Sequence, residues 1–467
     1  MFAVELDWRS PVEAFAPFAG DVFSFLLHGG DGDGDSGWSV IGADPVRTIE
    51  WTRGATRVDG APVDEAPLTV IRRWCRERRL DRGRRRIAPF QSGLFAVVGY
   101  DCAPLFEPAA PTLDTPYQIP DLAVGAYDAL AVFNRKSQQA FVVGRCAKKV
   151  AALGEKMSGA PAQPAAVTGV RAAGSTFSPA QYRAAVSEVV ERIRAGEIFQ
   201  ANISQVLSAR LCEKNTAYEL FCARSNIDCA DGAANFGALV KLRGGDIVSF
   251  SPERFFKVSH CPDGLSVVAE PIKGTRPRGT DPASDHRLAQ DLLNDPKDRA
   301  ENIMIADLTR NDLSRVCRDG SIREDEICAL MTLPTVHHLV SRISGVLRAE
   351  LGPLDVLEAM FPCGSITGAP KIQAMQVIAD VEKRGRGPYC GAIGYIDDGG
   401  EADFSVAIRT MIATQSDSAT PAMGASLSIP VGGGITVRSD PQSEYEETLS
   451  KAAGALAALG LTKDDYR

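Results

Sequence analysis

Apolar residues fall at two different spacings along this chain. In "SPAQYRAAVSEVVERIRAG", residues 178–196, Tyr182, Val186, Val189 and Ile193 recur every third or fourth position, which predicts a helix with one buried stripe. Ser178 is placed to cap that helix, Pro179 suits its first turn and Gly196 ends it. Upstream, "LAVFNR" and "AFVVGR" are short alternating runs that read as antiparallel strands.

Downstream of residue 196 the two patterns alternate in blocks. "GDIVSFS", "FFKVSH", "LSVVAEPI", "ASLSIPV" and "GITVRS" are strand-like, whereas "DRAENIMIADLTRNDLSRV", "PKIQAMQVIADVE" and "SEYEETLSKAAGALAAL" are helical. The expected fold is mixed α/β (α+β), a large sandwich of mostly antiparallel sheets covered by helices. Residues 154–177 are rich in Gly, Ala, Pro and Ser, so we read an N-terminal subdomain (1–153), a linker (154–177) and a second region (178–460).

Composition narrows what such a body would act on. With 51 Lys+Arg against 59 Asp+Glu, the net charge of −8 offers no overall attraction to nucleic acid or to an anionic membrane. No run is apolar for the roughly 20 residues that span a bilayer, and the start has no signal-peptide pattern, so a soluble cytoplasmic protein with a small substrate is expected. Eleven cysteines without a Cys-x-x-Cys pair suit reduced thiols. The basic run 72–86 reads as an exposed helix end and loop. "DGDGDSG" (31–37) lacks the Gly and Glu of a calcium loop and reads as a hairpin turn.

Several segments carry candidate chemistry. Ser443 and Glu446 match a capping box, which would start the last helix and put Glu444, Glu447 and Lys451 on one face, opposite Leu449, Ala452, Ala453 and Leu456. Acids near a helix N-terminus also simply favour its dipole. Glu301 shares helical spacing with Met304, Ile305 and Leu308, and a carboxylate carried towards an apolar side wants a partner. If Glu301 and Glu447 converge, they offer a hard oxygen site that suits Mg²⁺.

Gly364, Ser365, Thr367 and Gly368 precede a helix and could receive an anion. Gly432, Gly433 and Gly434 read either as a flexible hairpin or as bare backbone for a carboxylate. Only one of His337 and His338 can face inward on a strand. Tyr389 and Arg409 could meet an acidic substrate. Lys273, where the apolar run of "AEPIKGTRPRG" ends at a glycine, is either a solvated cation or a required amine.

Taken together, "GEIFQANISQ", "SPERF", "PIKGTRPRG", "AENIMIADLTRNDLSRV", "VHHLVSRISG", "GSITGAPK", "GPYCGAIGY", "FSVAIRT", "VGGGI" and "SEYEET" resemble the chorismate-utilising enzymes. That family includes anthranilate, aminodeoxychorismate and isochorismate synthases. The resemblance implies two packed subdomains with chorismate between them. It implies Mg²⁺ on Glu301 and Glu447, with Glu444 contributing through water and Lys451 orienting a ligand. The ring carboxylate would lie near Ser365 and Gly434, the enolpyruvyl carboxylate near Tyr389, Arg409, Gly432 and Gly433. His338 matches the family's active-site histidine, and Glu253 the position that protonates a departing hydroxyl.

Anthranilate synthases are similar at the Pro-Ile-x-Gly-Thr position but carry alanine there, whereas the aminodeoxychorismate branch carries a nucleophilic lysine. Lys273 therefore implies chorismate amination through a covalent adduct, with Gly274 and Thr275 letting substrate approach. No glutaminase signature is visible, so ammonia would come from a separate glutamine amidotransferase subunit. Anthranilate or isochorismate synthesis, and a silent regulatory subunit, are the alternatives. Leu26-Leu27-His28-Gly29 replaces the Leu-Leu-Glu-Ser of tryptophan-inhibited relatives, so feedback by tryptophan is not expected.

Overall fold

The computed structural model describes residues 1–29, 37–80, 86–159, 164–212, 215–231, 236–414 and 425–467. Residues 31–36 of the acidic hairpin reading and 81–85 of the basic run lie outside them.

The helix expected from the Tyr182 stripe spans Pro179–Arg194, and its cap is the reciprocal pair in which Ser178 accepts from the Gln181 N–H and Gln181 returns to the Ser178 N–H. Tyr182, Val186 and Val189 are fully buried along it. Two other helices matter for function. Pro296–Ser314 starts at Asp295, whose carboxylate accepts from the N–H groups of Lys297 and Asp298. Pro441–Ala458 starts at Asp440 rather than at Ser443. Asp440 takes both the N–H and the hydroxyl of Ser443, and Pro441 has no N–H to leave orphaned, so the Ser-x-x-Glu pattern sits one turn inside the true cap.

Two 12-stranded sheets carry these helices, and every pairing within them is antiparallel. Each draws strands from both ends of the sequence. The first runs from Phe2–Leu6 at one edge to the pair Ser426–Ile435 and Gln200–Arg210, closed by Arg171–Ser175 at the other. The second runs from Ile272–Pro277, beside Val336–Val346, to Ala61–Val63. Within 154–177, residues to Met157 complete a helix and Arg171–Ser175 pair with Gln200–Arg210.

The sheets face one another through Phe25, Val40, Val132 and Val240 of the first and Phe95, Val97, Ala123 and Ile393 of the second. Helices cover the outer faces, with Tyr182, Leu449 and Leu456 on one side and Trp74, Leu313 and Leu357 on the other. Among the described residues no helix is long and apolar enough to cross a membrane, and the described cysteines are free thiols.

Two strand readings change. "LSVVAEPI" is split, because Gly264–Ala269 ends before Glu270 and Pro271 and a new strand, Ile272–Pro277, begins there. Gly432, Gly433 and Gly434 form no hairpin. They lie inside one continuous strand, Ser426–Ile435, in register with Ser204, Ile203 and Asn202, so ladder hydrogen bonds override the local turn preference of three glycines.

Candidate active site

A cavity of about 630 Å³ lies between the edge strand Ile272–Pro277 of the second sheet and the Gln200–Arg210 and Ser426–Ile435 pair of the first. The helices Pro296–Ser314 and Pro441–Ala458 contribute Glu301, Glu447 and Lys451 to its wall. A space of this size suits a small ligand.

Lys273 enters from the edge strand. Its register with Val336–Val346 is interrupted between Lys273 and Thr275, where Gly274 bulges with φ +80°. A Cβ there would lie 2.9 Å from the Asp298 Cβ and 3.0 Å from Leu292, so this approach of strand to helix requires glycine. The Lys273 Nζ donates to the Ser365 carbonyl at 2.9 Å, and Ser365 sits in the buried turn Gly364–Ile366.

Beside them is Glu253, 4% exposed, whose Oε1 accepts no hydrogen bond. Burial pushes its carboxyl up to about 7, against the pull of the Ser365 hydroxyl and the Lys273 charge. A carboxyl held there exchanges its proton near neutral pH. His338 shares a 2.9 Å hydrogen bond with Thr275 through Nδ1, and burial pushes its imidazole down to about 4, so it is neutral at pH 7. His337 points elsewhere, bonded to Asp285 and Thr332. Only His338 of the pair lines the cavity, as strand alternation requires.

Glu444, Glu447 and Lys451 do share a helix face, and all three converge on Gly433, where a Cβ would be 3.2, 3.7 and 3.9 Å from Glu444 Oε2, Glu447 Oε1 and Lys451 Nζ. Lys451 pairs with Glu447 at 2.7 Å and donates to the Gly432 carbonyl at 2.9 Å. Glu444 is buried and accepts from the Ser439 hydroxyl at 2.6 Å. Glu301 arrives from the other helix, with an Oε1 that accepts no hydrogen bond. Lys297, which the sequence reading passed over, joins the helices: its Nζ is 3.5 Å from Glu444 and 3.9 Å from Glu301.

Burial pushes the Glu301 and Glu444 carboxyls upward, offset only in part by Lys273 and Lys297 at Glu301 and by the Ser439 hydroxyl and then lysine charge at Glu444. Burial also opposes ionisation of Glu447, but Lys451, Lys297 and Lys273 outweigh it and hold that carboxyl low. These donors are hard oxygens, one of them buried without a partner, which fits a divalent cation such as Mg²⁺. No three His, Cys, Asp or Glu side chains among the described residues are already drawn around one point.

Further groups surround the glycine strand. Tyr389 is buried in the cavity wall, and Arg409, at φ +53°, lines it too. Two amides escaped the sequence reading. Gln200 is 0% exposed and neither of its side-chain heteroatoms has a partner, while the Asn202 Oδ1 is also orphaned. A Cβ on Gly434 would stand 2.5 Å from Gln200 Nε2 and 3.4 Å from Lys273 Nζ, which places that amide beside the amine. Their spacing at i and i+2 was a signal that they share a face. Nothing in "FQANISQ" showed which face was the cavity's.

The chorismate binding enzyme family matches residues 25–457. The chain is 34% identical over 465 residues to the aminodeoxychorismate synthase component 1 of Salmonella typhimurium, with 98% of each chain covered. It is 32% identical over 492 residues to the anthranilate synthase component 1 of Synechocystis, covering 97% of this chain and 94% of that one. The crystal structure of anthranilate synthase component I from Streptococcus pneumoniae superposes with a TM-score of 0.75 at 27% identity, covering 90% and 92% of the two chains.

Proposed function

The chain belongs to the chorismate binding enzyme family, and from that premise we propose that it is the chorismate-aminating component of an aminodeoxychorismate synthase. It would convert chorismate and ammonia to 4-amino-4-deoxychorismate, the precursor of 4-aminobenzoate for folate. A separate glutamine amidotransferase would supply the ammonia, and another enzyme would cleave the product. Identities of 34% and 32% do not separate the amination from anthranilate synthesis. The observation that carries the reading is the Lys273 amine, standing in the cavity beside a carboxyl that holds its proton near neutrality.

The residues divide the work as follows. In its unprotonated form the Lys273 amine adds at C2, the two conjugated ring double bonds shift, and the 4-hydroxyl leaves with the proton of Glu253 as water. Ammonia then adds at C4, the conjugated pair shifts back, the C2–N bond to Lys273 breaks to return the amine, and a proton from the added nitrogen restores the Glu253 carboxyl. Two displacements across the conjugated diene put nitrogen where oxygen was. Arg409, Tyr389 and the backbone near Gly432 and Gly433 would hold the enolpyruvyl carboxylate, and Ser365 and Gly434 the ring carboxylate. Neutral His338, fixed by Thr275, would donate to substrate from Nε2 if its tautomer keeps the proton there.

Glu301 and Glu447, with Glu444 behind them, would hold Mg²⁺. Bound there, the ion would neutralise the ring carboxylate as the ring gains electron density. Incubation with chorismate, Mg²⁺ and ammonium should yield 4-amino-4-deoxychorismate. Anthranilate or isochorismate as the main product would overturn the reading, as would absence of turnover in the folded protein. Intact-protein mass spectrometry with chorismate and no ammonia should show a mass increase that Lys273→Ala abolishes.

A further inference from the structure

Lys297 has no task in the chemistry above, yet its position is the least expected in the site. It is the second residue of the helix Pro296–Ser314, where its own N–H is tied to the Asp295 carboxylate, so the backbone is fixed and only the side chain is free to move. That side chain reaches over one helical turn to Glu301 and across to the other helix at Glu444. Its ammonium therefore stands within ion-pair reach of two of the carboxylates assigned to the divalent cation, one on each helix.

Its grip is loose. At 3.9 Å it neutralises Glu301 without hydrogen bonding to it, and the Glu301 Oε1 keeps its unused acceptor capacity. The side chain is 36% exposed, so it has a route to solvent. A cation that compensates charge without saturating the oxygens holds a place rather than a structure.

We propose that Lys297 is an internal counter-cation that stands between Glu301 and Glu444 in the metal-free protein and is displaced when the divalent ion binds. Before the metal arrives, it keeps these carboxylates from repelling one another across the helix interface. Metal affinity is then the outcome of a competition, weaker than the oxygens alone would give, and the protein needs no metal to fold.

The inference rests on the Mg²⁺ reading above, and the test separates the two. Mg²⁺ is titrated calorimetrically into the full chain, with and without chorismate, for wild type, Lys297→Gln and Lys297→Arg, and melting is recorded in EDTA. Without the lysine charge, Lys297→Gln should bind Mg²⁺ roughly tenfold or more tighter in the absence of chorismate. It should also melt lower than wild type in EDTA and regain the difference as Mg²⁺ is added. Lys297→Arg, which keeps the charge, should not tighten binding. If Lys297→Gln binds Mg²⁺ no tighter than wild type while retaining its circular dichroism, Lys297 is not a competitor and the proposal falls. If wild type takes up no Mg²⁺ even with chorismate, the metal reading itself fails and takes this inference with it.

Discussion

Glu253 and Glu447 line one cavity, and their surroundings push them in opposite directions. Glu253 follows the strand Gly245–Ser251, its N–H donating to the Ser251 hydroxyl and its carbonyl accepting from Val406, so the side chain is delivered into a buried wall where its Oε1 accepts no hydrogen bond among the described residues. Its carboxyl rises to about 7. Glu447 sits on a helix face with Lys451 at 2.7 Å and ionises more easily than a free glutamate. The same side chain thus becomes a proton donor at one end of the cavity and a fixed anion at the other. Lys273 stands between, and its charge acts on both carboxyls.

The change that breaks this comparison most completely is Lys273→Ala. Loss of the nucleophile should lower formation of 4-amino-4-deoxychorismate on the order of 10³-fold or more, measured by product formation with saturating ammonium, while circular dichroism stays that of wild type. Retention of the same product at a comparable rate would remove the covalent route.

Next in size is Glu253→Gln, which tests the neutral end alone. General acid catalysis predicts a fall in turnover of roughly a hundredfold or more. In wild type the rate should decline as pH rises through about 7, and in the variant that limb should vanish. Stability should move the other way. Because the folded carboxyl holds its proton above the unfolded value of 4.5, the native state binds more protons between 4.5 and 7, and wild type loses stability as pH rises across that window. Glu253→Gln should escape most of that loss, about 3 kcal/mol, seen as a difference in urea midpoints that appears at pH 8 and is small at pH 4.

Glu301→Gln probes the ionised end and should act on binding more than on the acid step. Losing one oxygen charge should weaken Mg²⁺ binding roughly tenfold by calorimetry, with the pH limb assigned to Glu253 unchanged. A shift of that limb would mean that the two ends titrate as one system.

The two ends also differed in how legible they were. The last helix could be read because Glu444, Glu447 and Lys451 lie within it, and helical geometry alone puts them together, even though Asp440 rather than Ser443 provides the cap. The Ser178 cap and the Tyr182 stripe were local too, and both held. What joins Glu301 to Glu444 is the tertiary placement of two helices, and Lys297 gave no periodic signal that it would reach both. The triglycine run misled because its conformation is set by the neighbouring strand, a partner more than 200 residues away in sequence. Lys273 was recognisable as a motif, but its contact with the Ser365 carbonyl depends on a bulge at Gly274 that no alternation pattern announces.

The smallest expected effect concerns an amide buried behind the cavity wall, against Gly434. Gln200 is buried with both amide heteroatoms unpartnered, next to the amine of Lys273, which is a cost to the ligand-free fold that only an entering ligand or water can relieve. Gln200→Leu keeps a similar volume and removes both orphaned atoms, so the ligand-free protein should gain about 1 kcal/mol. The gain should show as a higher urea midpoint with an unchanged slope. Turnover should fall in the same protein, because the amide's unmet hydrogen bonds are then no longer available to whatever enters beside Lys273. A variant that loses activity without gaining stability would show that water already satisfies the amide in the ligand-free protein.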